Sequence, residues 1–305
     1  MAVARRHTLA ERIEAWFFQR YYAHFGQMSV DAASDAGAAF ARRVGPLTPT
    51  HRVARNNMRL AFPDAPPAQI DAWLAAMWEH LGRLAGEFPH LSSFEPFAED
   101  GRIVVEGAER LFAIRDRAGP VVFVSGHFSN WELMPATIVR SGAPCRMTYR
   151  AANNPFIDDM IQATRRAYGA AYQSAKGTEG GMGLLRALKA GQSVALMNDQ
   201  KYNAGLSVPL FGHNAMTADA PTRLALRFGV DLQPMSVVRT QGACFRVIVH
   251  EPIAFDRSLP TEEAVRDGVL AVNRFIEAQV RAHPEQWFWV HRRWPKEAWA
   301  NAGIA

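Results

Sequence analysis

The stretch PVVFVSGHFSNWE (residues 120–132) joins two patterns. Val121, Val122, Phe123 and Val124 form a continuous apolar run without the alternation of a half-exposed strand, as expected of a strand covered by helices on both faces. Gly126 breaks the run, and the residues after Asn130 return to a helical pattern with Pro135 near its start. A strand that leaves through a loop into a helix is the repeating unit of a parallel sheet.

The unit recurs on either side. RIVVEG (102–107) leads to a helix at about 107–118, and CRMTYR (145–150) to one from about Asn154 to Tyr168. SVALMND (193–199) follows a helix that Thr178 can cap and Gly191 can stop. APTRLALRFG (220–229) reads as a short helix with Pro221 near its start and Gly229 at its end. VDLQPMSVVRT (230–240) and CFRVIVHEPI (244–253) read as strands joined at Gln241-Gly242, and residues 261–282 as a long amphipathic helix. Residues 8 to about 92 are helical throughout, with breaks at Gly26, GPLTPT (45–50) and FPDAPP (62–67). The expected fold class is α/β: a mostly parallel central sheet with helices on both faces, preceded by an N-terminal helical segment and with a C-terminal β-hairpin and long helix. Without a repeat, a low-complexity tract or a clean linker, residues 1–305 read as one folding unit, with a helical subregion (1–100) and an α/β core (101–305).

With 305 residues, 49% of them hydrophobic, the chain supplies a substantial core, which excludes a disordered protein. Its net charge of +5 favours acidic partners: a membrane surface, a phosphorylated substrate, an acidic protein or nucleic acid. Lysine occurs only at 176, 189, 201 and 296, so nearly all the positive charge is arginine, suited to two-pronged contacts with phosphate and carboxylate. Cys145 and Cys244 have no metal-like spacing and imply no disulfide framework, which fits a reducing compartment. No secretory leader is visible, and no stretch reaches the roughly 20 apolar residues of a membrane span. AWFFQRYYAHF (15–25), interrupted by Gln19 and Arg20, belongs to a segment that sets Ile13, Trp16, Phe17, Tyr21 and Phe25 at helical spacing near Arg5, Arg6, Arg12 and Arg20. Such a helix either lies in a membrane interface or packs on the protein's own core; burial of the aromatic residues decides.

His127 leaves the C-terminal end of its strand, where open α/β sheets place their ligands. A neutral imidazole there can take a proton from a hydroxyl, with a carboxylate on its other nitrogen fixing the tautomer. Glu132 is the candidate carboxylate. Five positions on a helix correspond to about 140°, so the pair can meet only if His127 is on the loop and Glu132 in the first helical turn. The competing reading is a capping box in which Ser129 caps a helix and Glu132 bonds back to the serine amide. Pro135 argues against it, because from a Ser129 cap the proline would lie beyond the first turn. Asp199 and Gln200 follow another strand end and face the same crevice, or else form a turn in which Asp199 bonds local amides. Lys201 attracts phosphate or stays in water. Arg150, at the end of CRMTYR, holds a phosphate, supplies an oxyanion donor or is a solvated charge. His213 reads as a surface or turn histidine.

GHFSNWE, YRAANNP (149–155), NDQ (198–200), VPLFGHNAMTADAP (208–221) and PEQWFWVHRRW (284–294) stand in the order, and at about the intervals, of the lipid A late acyltransferases. These belong to the wider glycerolipid acyltransferase superfamily, whose hallmark is a histidine with an acidic residue five positions on. The resemblance runs from about Val53 to Trp294. It implies an O-acyltransferase that moves a fatty acyl chain from acyl carrier protein, or less readily coenzyme A, to a hydroxyl of a lipid A-type glycolipid at the cytoplasmic face of the bacterial inner membrane. His127 would be the general base and Glu132 its orienting partner, without cofactor, metal or nucleic acid. Arg150, Asn154, Asp199, Gln200, Lys201, Phe211 and Thr217 fall in the motifs associated with substrate. Asn154 would alternatively cap the helix behind it, while Phe211 and Met216 would touch an acyl chain and Thr217 a headgroup or the next helix. Arg292 and Arg293 match a basic tail, set at a lipid interface or in solvent. Two departures stand out: Ala220-Pro221 where the family usually has Gly-Pro, which suggests a turn without positive φ, and the interrupted aromatic stretch where many relatives have a spanning helix. Attachment would then be peripheral, and another glycolipid or a soluble acceptor is the alternative. Rivals of other classes are a metal-dependent hydrolase built on His127, Glu132, Asp199 and His213, and a non-catalytic membrane-binding protein.

Overall fold

A computed structural model describes residues 8–117, 119–170, 172–174 and 177–304. Arg5, Arg6 and the side chain of Thr178 lie outside the described residues. Four helices come first: α1 (Leu9–Gly26), α2 (Val30–Val44), α3 (Pro49–Ala61) and α4 (Pro67–Glu87). Thr8 and Glu11 close a capping box on α1, Ser29 caps α2, and prolines open α3 and α4. Helices α2 and α4 approach unusually closely because the crossing is lined by glycine. A Cβ on Gly82 would sit 2.2 Å from the Gly37 carbonyl oxygen and 2.6 Å from Ala41 Cβ, and one on Gly37 would sit 2.1 Å from the Gly82 oxygen.

The α/β part follows as β1 (Ile103–Glu106), α5 (Ala108–Arg117), β2 (Val122–Ser125), α6 (Leu133–Arg140), β3 (Cys145–Tyr149), α7 (Pro155–Ala167), β4 (Tyr172–Ser174), α8 (Gly177–Lys189) and β5 (Ser193–Met197). Next come β6 (Leu206–Leu210), β7 (His213–Thr217), α9 (Ala220–Phe228), β8 (Leu232–Gln241), β9 (Cys244–Val249), α10 (Thr261–Ala282) and α11 (Lys296–Asn301). Among the described residues the main sheet has the order β1-β9-β8-β2-β5-β3-β4, and β6 and β7 form a separate two-stranded hairpin. Every neighbouring pair in the main sheet is parallel except β8 and β9. The expected α/β class, the N-terminal helices, the β8–β9 hairpin and the long α10 are all present.

Three details differ from the sequence reading. Strand β1 does not neighbour β2; it pairs with β9 at the sheet edge and runs opposite to β2. Its burial alternates and Val104 is 62% exposed, a half-covered edge rather than the doubly buried centre occupied by β2. The segment 206–217, to which the sequence reading assigned no element, is the β6–β7 hairpin, with positive φ at Phe211 and Gly212. The short β4 was not visible either. Ala220, by contrast, opens α9 without positive φ, and Gly229 ends that helix at φ 64°.

One hydrophobic cluster runs from Met58, Leu74 and Met77 in the N-terminal helices through Val122, Val124, Leu232 and Val237 in the sheet to Trp289 and Trp294 near the C-terminus. A buried ion pair, Glu87 with Arg239, ties α4 to β8. The α2–α4 crossing gives a direct test. Gly82→Ala should destabilise the protein by about 1–3 kcal/mol through overpacking, read as a lower thermal midpoint by circular dichroism; an unchanged midpoint would contradict the tight crossing.

Candidate active site

The site follows from strand register. β2 and β5 pair in parallel with Val122 opposite Val194 and Ser125 opposite Met197. The Asn198 amide continues the ladder by donating to Ser125 O at 2.8 Å. The same offset, carried two residues past each strand, sets His127 beside Asp199 at the C-terminal edge of the sheet.

The two residues bond twice. His127 Nδ1 lies 2.7 Å from Asp199 Oδ1, and the His127 backbone amide donates to Oδ2 at 2.7 Å. The Trp287 indole also donates to Oδ2, at 2.8 Å. A carboxylate can only accept here, so Nδ1 carries the proton and Nε2 keeps its lone pair. Asp199 is 2% exposed, whereas the His127 side chain keeps 19% exposure. Trp131 and Phe288 wall the imidazole, with ring centroids 5.0 and 5.9 Å away. Burial works against a charged imidazole, but the Asp199 carboxylate, through charge and hydrogen bond, and Glu132 outweigh it and raise the His127 pKa above its usual 6.5. Burial would raise Asp199, yet His127 and the Trp287 N–H hold its pKa down, to about 2.

Glu132, the carboxylate expected to orient His127, is engaged elsewhere. Arg165 of α7 grips it in a two-pronged ion pair, Nε to Oε2 at 3.0 Å and Nη2 to Oε1 at 2.5 Å, and the Tyr168 hydroxyl donates to Oε2 at 3.4 Å. The structural reason is direction. His127 is on the loop and Glu132 immediately precedes α6, as the pairing required, but Glu132 turns toward α7 while Asp199 arrives from the adjacent strand. Glu132 still acts on the imidazole by charge, opposed by Arg165. The capping-box alternative is absent: Glu132 itself occupies the N-cap position without a side-chain cap, and Pro135 falls at the third helical residue, where its missing amide breaks no intrahelical bond.

The loop is held from outside the βα unit. Ser129 takes φ +44°, its amide donates to Gln286 O at 2.6 Å, and the Phe288 amide donates to His127 O at 3.2 Å. The Asn130 side chain donates to Glu87 Oε2 at 2.8 Å, on the same carboxylate that pairs with Arg239.

The remaining sequence candidates separate. Gln200 and Lys201 follow Asp199 directly and are half-buried, and the Lys201 amide donates to His291 Nε2 at 3.0 Å. Burial lowers the His291 pKa, consistent with a neutral acceptor. Arg150 is exposed at the end of β3 and close enough to depress His291 by charge. Asn154 is an N-cap: its carbonyl accepts from Phe156 N at 3.1 Å while its NH2 donates to Glu11 O at 2.7 Å and Glu14 Oε2 at 3.0 Å. Phe211 is 5% exposed and packs on Phe62, Trp289 and Trp294, and Thr217 is fully buried, accepting from Arg293 Nη2 at 2.6 Å. Both belong to the core beneath the site, because the hairpin that carries them folds against α10 and the C-terminal segment. Arg292 is exposed over Trp299, but Arg293 is 1% exposed, so only one of the paired arginines reaches the surface. The sequence reading missed Trp287, Arg165 and Tyr168 as partners of the site. Trp287 lay within a quoted motif; nothing local marks Arg165 or Tyr168. No group of three His, Cys, Asp or Glu side chains among the described residues is placed to hold a metal ion.

The site is thus a histidine at a parallel strand end, held by a buried carboxylate and still 19% exposed, and comparison with known proteins says in which family it stands. The family model for bacterial lipid A biosynthesis acyltransferases matches residues 3–296. The chain belongs to that family. It is 26% identical over 249 residues to the lipid A biosynthesis palmitoleoyltransferase of Escherichia coli K12, covering 79% of this chain and 77% of that protein. The lipid A biosynthesis acyltransferase of Shigella flexneri matches to the same extent, and the lauroyltransferase of E. coli K12 is 26% identical over 250 residues, covering 79% and 78%.

Removing the Asp199 carboxylate should lower the His127 pKa, since the charge that favours imidazolium is lost. In a histidine-resolved NMR titration, Asp199→Asn is expected to move His127 down by at least about one pH unit, and Glu132→Gln by clearly less. The reverse order would assign the orienting role to Glu132.

Proposed function

We propose that the protein transfers a fatty acyl chain from an acyl thioester, on acyl carrier protein in preference to coenzyme A, to a hydroxyl of a lipid A-type glycolipid, with His127 as general base and Asp199 as its orienting carboxylate. The observation that carries the reading is the Nδ1 bond to buried Asp199, which leaves Nε2 as the basic nitrogen of a side chain that is still 19% exposed. Family membership supports acyl transfer onto lipid A.

His127 Nε2 takes the proton of the acceptor hydroxyl as its oxygen attacks the thioester carbonyl. The imidazolium so formed lies against Asp199, whose charge stabilises it without accepting the proton. Collapse of the tetrahedral intermediate expels the thiolate, to which His127 returns the proton. No covalent acyl-enzyme is required. Arg150, an exposed guanidinium near the site, is assigned to a phosphate of the acceptor or to the developing oxyanion, and Lys201 adds positive charge beside it. Gln200 lines the same crevice. Glu132 holds Arg165 and Tyr168, and both Glu132 and Arg165 act on the imidazole by charge. The basic charge favours an acidic carrier protein and a phosphorylated lipid alike. The protein would work peripherally at the cytoplasmic face of the inner membrane, where such an acceptor resides.

Transfer from labelled acyl carrier protein to a panel of glycolipids tests this. His127→Ala should lower kcat by about a hundredfold or more, and full activity in that variant would sink the mechanism. Arg150→Ala should raise KM for a phosphorylated acceptor by about tenfold while leaving its dephosphorylated form nearly unaffected; an equal change for both would remove the phosphate role.

A further inference from the structure

The segment between α10 and α11 runs along the site and is bonded to it repeatedly. Phe128 and Trp287 form an isolated antiparallel bridge, the Trp287 indole donates to Asp199, and the Phe288 amide donates to His127 O. Three residues on, His291 Nε2 accepts the amide of Lys201, two positions past Asp199, at 3.0 Å. Asn57 of α3, 0% exposed, holds the same segment from below: its side-chain NH2 donates to Trp289 O at 2.9 Å and to His291 O at 2.8 Å. A second histidine is therefore fixed at both its ring and its backbone next to the residues that carry the first.

The Lys201 bond decides the chemistry of this ring. A backbone amide can only donate, so Nε2 presents its lone pair and the proton of the neutral imidazole sits on Nδ1. Protonation would turn two N–H groups against each other and break the bond. Burial, with the charges of Arg293, His127 and Arg150, also holds the His291 pKa below its usual value, against the opposite pull of Asp199. Those couplings place the ring within electrostatic reach of His127, Asp199 and Arg150 together. Nδ1 has no hydrogen-bond partner among the described residues, and the residue is half-buried. The two histidines are complementary. In His127 the Nδ1 proton is engaged by Asp199 and the remaining nitrogen is a base; in His291 the lone pair is engaged by Lys201 and the remaining nitrogen is a donor.

We propose, resting on the acyl-transfer reading, that His291 donates a hydrogen bond from Nδ1 to the thioester carbonyl oxygen as that oxygen becomes an oxyanion. The acceptor oxygen forms its bond to the carbonyl carbon while its proton passes to His127 Nε2. The negative charge that collects on the carbonyl oxygen meets the His291 N–H, which keeps its proton. The C–S bond then breaks, and the thiolate takes the proton back from His127. A neutral imidazole suits this role because it polarises a carbonyl without competing with His127 for the proton. Arg150 is exposed and screened by water, whereas a fixed, half-buried donor acts at full strength and costs no reorganisation. Arg150 is then left to a phosphate of the acceptor.

Two substitutions separate catalysis from a structural role. His291→Gln sets an amide oxygen near the Nε2 position and keeps the Lys201 bond, but offers no donor at the Nδ1 position. His291→Asn does the reverse, with an NH2 near the Nδ1 position and no partner for Lys201. In transfer of a labelled acyl chain from acyl carrier protein to partly deacylated lipid A, His291→Gln should lose at least about a hundredfold in kcat, with KM within about threefold and the thermal midpoint unchanged. His291→Asn should keep kcat within about tenfold of wild type. The reverse order, with glutamine near wild type and asparagine impaired, would reduce His291 to a prop for the turn after Asp199 and overturn the proposal. Histidine-resolved NMR above neutral pH should show His291 with its proton on Nδ1, and a proton on Nε2 would equally overturn it. If wild type transfers to no acceptor, the acyl-transfer reading fails and the role of His291 falls with it. If wild type transfers and His291→Gln keeps pace, the His291 proposal alone fails.

Discussion

The parallel pairing of β2 with β5 is the constraint from which the site follows. Backbone hydrogen bonds fix Ser125 opposite Met197, and the Asn198 amide extends the ladder to Ser125 O. A one-residue slip would reverse which side chains face each helical layer, so the buried runs VVFVS and SVALM hold the register strongly. The register in turn determines that the residue two past Ser125 meets the residue two past Met197. His127 and Asp199 are those residues, and the register brings the Asp199 carboxylate within reach of both the backbone amide and Nδ1 of His127.

A second set of contacts keeps the loop in that geometry. Ser129 occupies the left-handed region, a conformation that costs energy for a residue other than glycine and persists only where neighbours enforce it. Gln286 O takes its amide, and the Gln286 side chain exchanges hydrogen bonds with the Arg239 backbone. Arg239 pairs with Glu87, which also accepts from Asn130 and from Ser34 of α2. Glu87 and Arg239 are buried at 0% and 6% exposure, so losing one partner would leave a charge without compensation. The N-terminal helices, the centre of the sheet and the C-terminal segment thus converge on two loop residues close to His127.

How far the sequence could be read depended on whether a feature is local. Buried strands, helix limits at Pro221 and Gly229 and the amphipathic α10 are written in short windows, and all of them appear as expected. The conflict between Pro135 and a Ser129 cap was also local, and it resolved against the cap. Non-local facts were not legible. Strand order cannot be taken from RIVVEG alone, and the position of β1 at the sheet edge beside β9 appears only in the structure. Five-residue spacing made Glu132 look like the partner of His127, whereas the actual partner lies 72 positions away and is linked only by the β2–β5 register. Phe211 and Thr217 carried the right chemistry for substrate contact, but the β6–β7 hairpin turns them into the core.

The central claim is that His127 acts as a base under the control of Asp199, and the pH dependence of kcat/KM for acyl transfer tests it most directly. A base must be deprotonated, so activity should fall on the acid side with an inflection above 6.5, because Asp199 raises the histidine pKa. In Asp199→Asn that inflection should move to lower pH, with a fall in kcat/KM of about a hundredfold or more at the plateau. An acid limb unmoved by Asp199→Asn but shifted by Glu132→Gln would contradict the account.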